Sequence, residues 1–137
     1  ETNTVIGGEG NGGVIYPESH YGRDALVGVG LFLSHFVAEG KSMTVLKATY
    51  PQYFISKNKL TLSPDMDVDK ILEGLKKKYA SEEITDIDGV KIDFKDGWVH
   101  LRKSNTEPII RIYSESKDES AANQLAEDVI KVAKSLY

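Results

Sequence analysis

Apolar residues recur at helical spacing in three parts of the chain. The first part predicts a helix from about Arg23 to Glu39, with Gly40 as its stop signal. The second follows Ser63-Pro64, and the third follows Ser116, which forms a capping-box pattern with Glu119. The predicted buried stripes are Leu26, Val29, Leu33, Phe36 and Val37, then Val68, Ile71, Leu72, Leu75 and Tyr79, then Ala122, Leu125, Val129, Val132 and Leu136.

Alternating apolar and polar residues predict strands around the second helix. The predicted strands are Tyr53 to Leu62, a segment with Val90, Ile92 and Phe94 in alternation, Trp98 to Arg102, and Ile109 to Glu115. Asp96-Gly97 is a tight hairpin signal between the middle two strands. The order strand, helix, strands, helix predicts an α+β fold, in which an antiparallel sheet carries two helices on one face.

The chain is predicted to contain two units. The first helix and the glycine-rich loop before it cannot build a hydrophobic core by themselves. We assign this loop-plus-helix segment to residues 1–46 and the α+β unit to residues 47–137. Thr44 to Pro51 is predicted to be the passage between them.

Composition excludes several functional classes. The 137 residues include 17 Lys and Arg against 21 Asp and Glu, so a net charge of -4 argues against a non-specific nucleic-acid binder. The apolar run from Ala25 to Leu33 is too short to span a bilayer. The sequence has no cysteine, which excludes a disulfide framework and a thiolate metal site and is compatible with a cytoplasmic enzyme.

A polar turn between two predicted strands carries the candidate chemistry. It contains a guanidinium, two hydroxyls and a side-chain amide, and a second arginine follows it: Arg102, Ser104, Thr106, Asn105 and Arg111. These donors suit a phosphate dianion, because the planar fork of arginine can donate two parallel hydrogen bonds to phosphate oxygens. An ordinary polar hairpin turn with solvated charges is the alternative, since these residue types are also common in turns for local reasons.

Two motifs together resemble the C-terminal part of the α-D-phosphohexomutases, which are the phosphomannomutases, phosphoglucomutases and phosphoglucosamine mutases. One is Gly-Gly-Glu-Gly-Asn-Gly-Gly at residues 7–13, and the other is Arg-x-Ser-Asn-Thr-Glu-Pro-x-x-Arg at residues 102–111. The resemblance implies a sugar-binding loop at the edge of the family's third domain and the phosphate-binding loop of its fourth domain. It also implies that the fourth domain has a fold similar to the TATA-binding protein, but DNA binding is not carried over with the fold.

The same resemblance implies a role for each loop. Arg102, Ser104, Asn105, Thr106 and Arg111 would hold the non-reacting phosphate of a hexose phosphate or bisphosphate, while Glu9 and Asn11 would orient the sugar ring. The family's phosphoserine and its Mg²⁺-binding loop are expected in N-terminal domains of a parent enzyme, outside this chain. The chain alone is therefore predicted to be inactive, with no metal site and no catalytic residue of its own.

The glycine-rich loop departs from the family's commoner pattern, Gly-Glu-x-Ser-Gly-His. Asn11 stands where a serine contacts the sugar, and Gly13 stands where a histidine is often proposed to assist proton transfer. His20 is a candidate to fill that vacancy, or it is only a polar surface residue. Arg23 is a candidate phosphate or substrate contact, or it only pairs with Asp24. His35 and His100 fall within periodic segments and are predicted to pack.

One segment has the carboxylate spacing of a metal-binding loop. Asp65-Met66-Asp67-Val68-Asp69 spaces three carboxylates alternately, but Met66 and Val68 replace the glycines that would let the backbone curl around an ion. Acidic residues in the first turn of a helix complement its positive end. A helix start is therefore predicted here rather than a cation site.

Two alternatives to part of a phosphohexomutase stay open. The first is a free-standing phosphosugar-binding module that has no catalytic domains. The second is a scaffold or dimer contact. The residues do not distinguish mannose, glucose and glucosamine phosphates as the substrate.

Overall fold

The computed structural model describes residues 3–8, 12–64 and 66–137. The chain divides into two compact units, Glu1–Pro51 and Gln52–Tyr137. This division falls a few residues after the boundary predicted from the sequence, which lies between residues 46 and 47.

The first unit contains a small ladder and two helices. Strand β1 (Gly7–Gly8) pairs with the antiparallel strand β2 (Val14–Ile15). Helices α1 (Ala25–Glu39) and α2 (Met43–Ala48) follow. The bounds of α1 agree with the predicted helix to within two residues. Helix α2 lies where only a connecting passage was predicted, because six residues are too few to show a helical period.

Helix α1 is apolar around most of its circumference rather than along one stripe. None of its residues is buried, and Leu26, Val29 and Val37 are strongly exposed. A helix with this composition is typical of one that is covered on several sides. The first unit thus has little core of its own.

The second unit is an antiparallel sheet with two helices. Its elements are β3 (Phe54–Thr61), α3 (Val68–Lys78), β4 (Glu83–Thr85), β5 (Val90–Phe94), β6 (Gly97–Lys103), β7 (Ile109–Ser116) and α4 (Glu119–Lys134). The strand order is β3-β7-β6-β5-β4, and every neighbouring pair is antiparallel. The predicted α+β fold class is confirmed. Strand β4 was not predicted, because three residues give no clear alternation.

The core lies between one face of the sheet and both helices. Its buried residues come from alternate strand positions and from the helix stripes: Leu60, Val68, Ile71, Leu75, Val90, Ile92, Val99, Leu101, Ile110, Ile112, Val129 and Ala133. Since side chains alternate across a strand, the intervening residues of β6 and β7 lie on the opposite face. Within the described part of this unit, no helix covers that face, and Arg102 and Arg111 lie on it.

Both helix starts of the second unit differ from the predictions. Helix α3 begins at Val68 rather than at Ser63-Pro64, and the side chain of Asp67 caps it. The capping box predicted for α4 is wrong. Asp118 is the N-cap, and its Oδ1 accepts a hydrogen bond from the Ala121 amide at 2.8 Å. Ser116 remains in β7, where its hydroxyl donates to the Asp96 carbonyl at 2.7 Å.

The buried stripe of α4 also differs in part from the prediction. Ala122 and Val129 are buried as expected, but Ala126 and Ala133 take the remaining buried positions. Leu136 is exposed rather than buried. Small alanine side chains let the helix backbone lie close to the sheet, while Leu125 and Val132 are only partly buried against the core.

The predicted hairpin between β5 and β6 is confirmed, but its turn is one residue earlier. Phe94 pairs with Gly97, so Lys95 and Asp96 are the turn residues. Gly97 is therefore a strand residue rather than a turn residue. This position requires glycine because a Cβ here would overlap the carbonyl oxygen of Glu115.

Candidate functional site

The loop between β6 and β7 forms one side of an open cavity on the helix-free face. Arg102 pairs directly opposite Arg111 in the sheet, and His100 pairs opposite Tyr113. The cavity has a volume of about 430 Å³, and the following residues line it: His100, Arg102, Lys103, Ser104, Asn105, Thr106, Arg111 and Tyr113. The structure therefore brings together the five residues that the sequence proposes for the phosphate-binding loop, and Arg23, the further candidate, does not line this cavity.

Ser104 organises the loop. Its Oγ lies 3.4 Å from the Thr106 amide nitrogen and 3.3 Å from the Glu107 amide nitrogen, and both amides donate to it. The Ser104 amide in turn donates to the Ile109 carbonyl at 3.0 Å. Because the hydroxyl oxygen accepts from the backbone, its proton can be donated either to Thr106 Oγ1, 3.5 Å away, or outward to a ligand. Asn105 and Thr106 are exposed beside it.

Two cationic side chains, Arg102 and Arg111, lie side by side on neighbouring strands and line the cavity. Like charges at directly opposite positions of an antiparallel pair repel. Each arginine has an acidic partner, and the partner of Arg102 is closer: Arg102 Nε lies 3.0 Å from Asp88 Oδ2, and Arg111 Nη2 lies 3.7 Å from Glu107 Oε2. All four side chains are exposed to about half of their area, so solvent weakens both pairs. An anion bound between the guanidinium groups would relieve the repulsion.

His100 belongs to the wall of this cavity. Its Nε2 lies 2.6 Å from the backbone oxygen of Asp88, and a carbonyl only accepts, so His100 donates this hydrogen bond. The sequence predicted that His100 only packs. His100 and Arg102 are two residues apart on one strand, so their side chains lie on the same face of the sheet. This spacing is the sequence signal that could have identified His100.

The two predicted sugar contacts, Glu9 and Asn11, lie outside the described residues. Their roles remain predictions.

His20 is engaged at both ring nitrogens. Its Nδ1 accepts from the Gly22 amide at 2.9 Å, so Nε2 carries the proton and donates to Asp24 Oδ2 at 3.0 Å. This hydrogen bond, followed by those from the Val27 and Leu26 amides, holds the pKa of Asp24 below its ordinary value. His20 therefore stabilises the turn before α1 and would have to release a partner to exchange a proton with substrate. Arg23 is exposed next to this cap.

The acidic segment before α3 has a structural role where it is described. Asp67 Oδ1 accepts from the amides of Asp69 and Lys70 at 3.1 and 3.2 Å, which is ordinary helix capping. Asp65 lies outside the described residues. In residues 3–8, 12–64 and 66–137, no cluster of three metal-ligating side chains is found. Within the same ranges, no helix has both the length and the apolar character to cross a membrane.

Comparison with known families decides the relationship. The model of the phosphoglucomutase/phosphomannomutase C-terminal domain matches residues 59–132, and that of the phosphoglucomutase/phosphomannomutase alpha/beta/alpha domain III matches residues 1–53. The chain belongs to the phosphoglucomutase/phosphomannomutase family. The family predicted from the two loop motifs is therefore confirmed.

Several members of this family are similar over nearly the whole chain. The chain is 39% identical over 134 residues to a phosphoglucosamine/phosphogalactosamine mutase of Sulfurisphaera tokodaii, with 96% of this chain and 30% of that protein covered. It is 42% identical over 134 residues to a phosphoglucomutase/phosphomannomutase of Thermococcus kodakarensis, with 96% and 29% covered. The chain thus spans less than a third of the length of these relatives.

A solved structure supports the fold. It is a phosphoglucomutase/phosphomannomutase family protein of Burkholderia thailandensis, with a TM-score of 0.72 and 24% identity. The match covers 98% of this chain and 29% of that one. The described arrangement of helices and strands is therefore that of this family's fold.

Proposed function

We propose that this chain is the substrate-holding C-terminal region of a phosphohexomutase. Such an enzyme interconverts hexose 6-phosphate and hexose 1-phosphate through a phosphoserine and a bisphosphate intermediate. The observation that carries the proposal is the direct pairing of Arg102 and Arg111 across the sheet, next to the Ser104 hydroxyl. A dianion bound between these two cations would offset the repulsion between them.

Each side chain has a distinct task in the proposed clamp. Arg102 donates two parallel hydrogen bonds to the phosphate, and Arg111 adds charge from the neighbouring strand. Ser104 and Thr106 donate hydroxyl protons, and Asn105 donates from its amide. Lys103, at the edge of the cavity, adds further positive potential.

The clamp positions the substrate and does not react with it. Phosphoryl transfer depends heavily on holding the transferred group and its acceptor in line. By fixing the phosphate at one end of the hexose, this region would present the other end to the phosphoserine. Loss of the clamp would then lower the rate of the parent enzyme as well as its affinity for substrate.

The sugar itself is assigned to the first unit. We propose that Glu9 accepts hydrogen bonds from two adjacent hydroxyls and that Asn11 contacts the ring, with His20 and Arg23 as further candidates. The alternatives for His20 and Arg23 are the purely local roles described above.

The remaining parts of the proposed enzyme would come from other domains of a longer chain. The phosphoserine and the Mg²⁺ site belong there, and so does the rest of the alpha/beta/alpha domain that would cover helix α1. The exposed apolar surface of α1 supports this assignment. A cytoplasmic location fits a reaction on soluble hexose phosphates.

The isolated chain should bind a hexose phosphate without converting it. Isothermal titration calorimetry with glucose 6-phosphate and with inorganic phosphate should show binding, and unphosphorylated glucose should show none. In a parallel sample with glucose 1-phosphate, glucose 1,6-bisphosphate and Mg²⁺, product detected by ³¹P NMR should stay at background. Equal binding of glucose and glucose 6-phosphate would contradict the clamp. Turnover by clean protein would contradict the assignment of catalysis to other domains.

A further inference from the structure

A loop from another part of the sheet contacts two of the residues that line the phosphate cavity. Residues 86–89 connect β4 to β5, and Asp88 on this loop contacts β6 twice. Its carboxylate oxygen Oδ2 lies 3.0 Å from Arg102 Nε. Its backbone oxygen lies 2.6 Å from His100 Nε2. One residue therefore touches two of the side chains that line the cavity.

The neighbouring glycine makes this close approach possible. Gly89 has a φ of 80°, in the left-handed region that favours glycine. A Cβ at this position would overlap the carbonyl oxygen of Leu101 on β6. Gly89 is thus the residue that lets the loop lie against the strand, and His100 fastens it there through the Asp88 carbonyl.

The contact uses the inner nitrogen of the guanidinium. An arginine side chain has five N–H donors in a planar fork. Asp88 Oδ2 forms its ion pair at the Nε side of the guanidinium, which leaves the outer edge, with Nη1 and Nη2, for two parallel hydrogen bonds to phosphate. A free arginine would populate many rotamers, and ordering a side chain of this kind on binding weakens affinity.

We propose that Asp88 is a positioning residue of the phosphate site, which holds Arg102 at Nε so that its outer edge is preset for the phosphate. The inference rests on the proposed function and adds a residue that neither loop motif contains. Asp88 does not touch the ligand. It acts through the orientation of Arg102.

Simple electrostatics predicts the opposite effect. A carboxylate near a bound phosphate repels it, so removing its charge would strengthen binding if Asp88 did nothing else. If Asp88 positions Arg102, removing the charge weakens binding. The direction of the change therefore separates the two cases.

The test compares two matched variants of the 137-residue chain. Asp88→Asn removes one negative charge at the contact with Arg102. Asp86→Asn removes one from the same loop, where Asp86 pairs with Lys76 Nζ on α3 at 3.1 Å instead. Titration with inorganic phosphate should show about three- to tenfold weaker binding for Asp88→Asn, because an unordered arginine must be fixed on binding. Asp86→Asn should bind as the parent chain does, or slightly more tightly.

A second readout follows the Arg102 side chain directly. In the ¹H–¹⁵N spectrum of the parent chain, the Nε–Hε proton of Arg102 should exchange with water more slowly than that of Arg111. This protection should disappear in Asp88→Asn. Equal exchange for the two arginines in the parent chain would overturn the inference, and so would unchanged or tighter phosphate binding by Asp88→Asn. Absence of phosphate binding by the parent chain would instead contradict the proposed function itself.

Discussion

Replacing Arg102 by lysine should weaken hexose phosphate binding almost as much as replacing it by alanine. A lysine ammonium is a point charge that cannot donate two parallel hydrogen bonds from a planar edge. It also cannot contact Asp88 through one nitrogen and the phosphate through two others. Each charge-assisted hydrogen bond lost is worth about 1.5 to 3 kcal/mol, which is roughly a ten- to hundredfold change in affinity.

Isothermal titration calorimetry with glucose 6-phosphate measures this effect. Lys117→Ala is the matched control for Arg102→Ala, because it also removes one positive charge but lies just beyond the other end of β7. Arg111→Lys should lose less than Arg102→Lys, since the Arg111 partner Glu107 is more distant than Asp88 is from Arg102. Affinity retained by Arg102→Lys would show that this site needs charge but not the guanidinium fork.

The second unit should fold without the first. Its core residues come from all the main elements between β3 and α4, and both helices pack on the same sheet. The unit Gln52–Tyr137 contains that whole core. By contrast, the 15-residue helix α1 has no buried residue and contains Gly28 and Gly30, which lower its intrinsic stability.

A shortened chain of residues 52–137 should therefore unfold in one sharp thermal transition, with an enthalpy of about 60 kcal/mol for a domain of this size. Circular dichroism and calorimetry measure the transition and its enthalpy. A peptide of residues 1–51 is the comparison and should show no cooperative melt. A broad transition or aggregation of residues 52–137 would mean that the first unit contributes to the core of the second.

Long periodic elements of this fold could be predicted from the sequence, whereas short ones could not. Helix α3 and strand β7 have enough residues for their apolar period to be evident. Strand β4 and helix α2 are too short for that. The capping box at Ser116 failed because strand pairing with Phe54 and Gly97 continues through this residue, and tertiary pairing overrides a local capping preference.

The candidate site shows the same division. Its loop donors are adjacent in the sequence, so their chemistry is apparent without a structure. His100 could have been found from its strand parity with Arg102. Asp88 could not, because its approach depends on the register that pairs Val90 with Leu101 and brings the preceding loop to β6. A residue that reaches a site only through strand pairing cannot be recognised from a local sequence motif.

The most direct test of the account is a residue-resolved map of where a hexose phosphate binds. Glucose 6-phosphate should be titrated into the ¹⁵N-labelled chain and the amide shifts followed. We expect the shifts to concentrate at residues 102–108, to disappear in Arg102→Ala and to weaken at high salt. Shifts centred on the start of α3 around Asp67 and Asp69, or a shift pattern that is unchanged in Arg102→Ala, would contradict the assignment of this loop as the phosphate site.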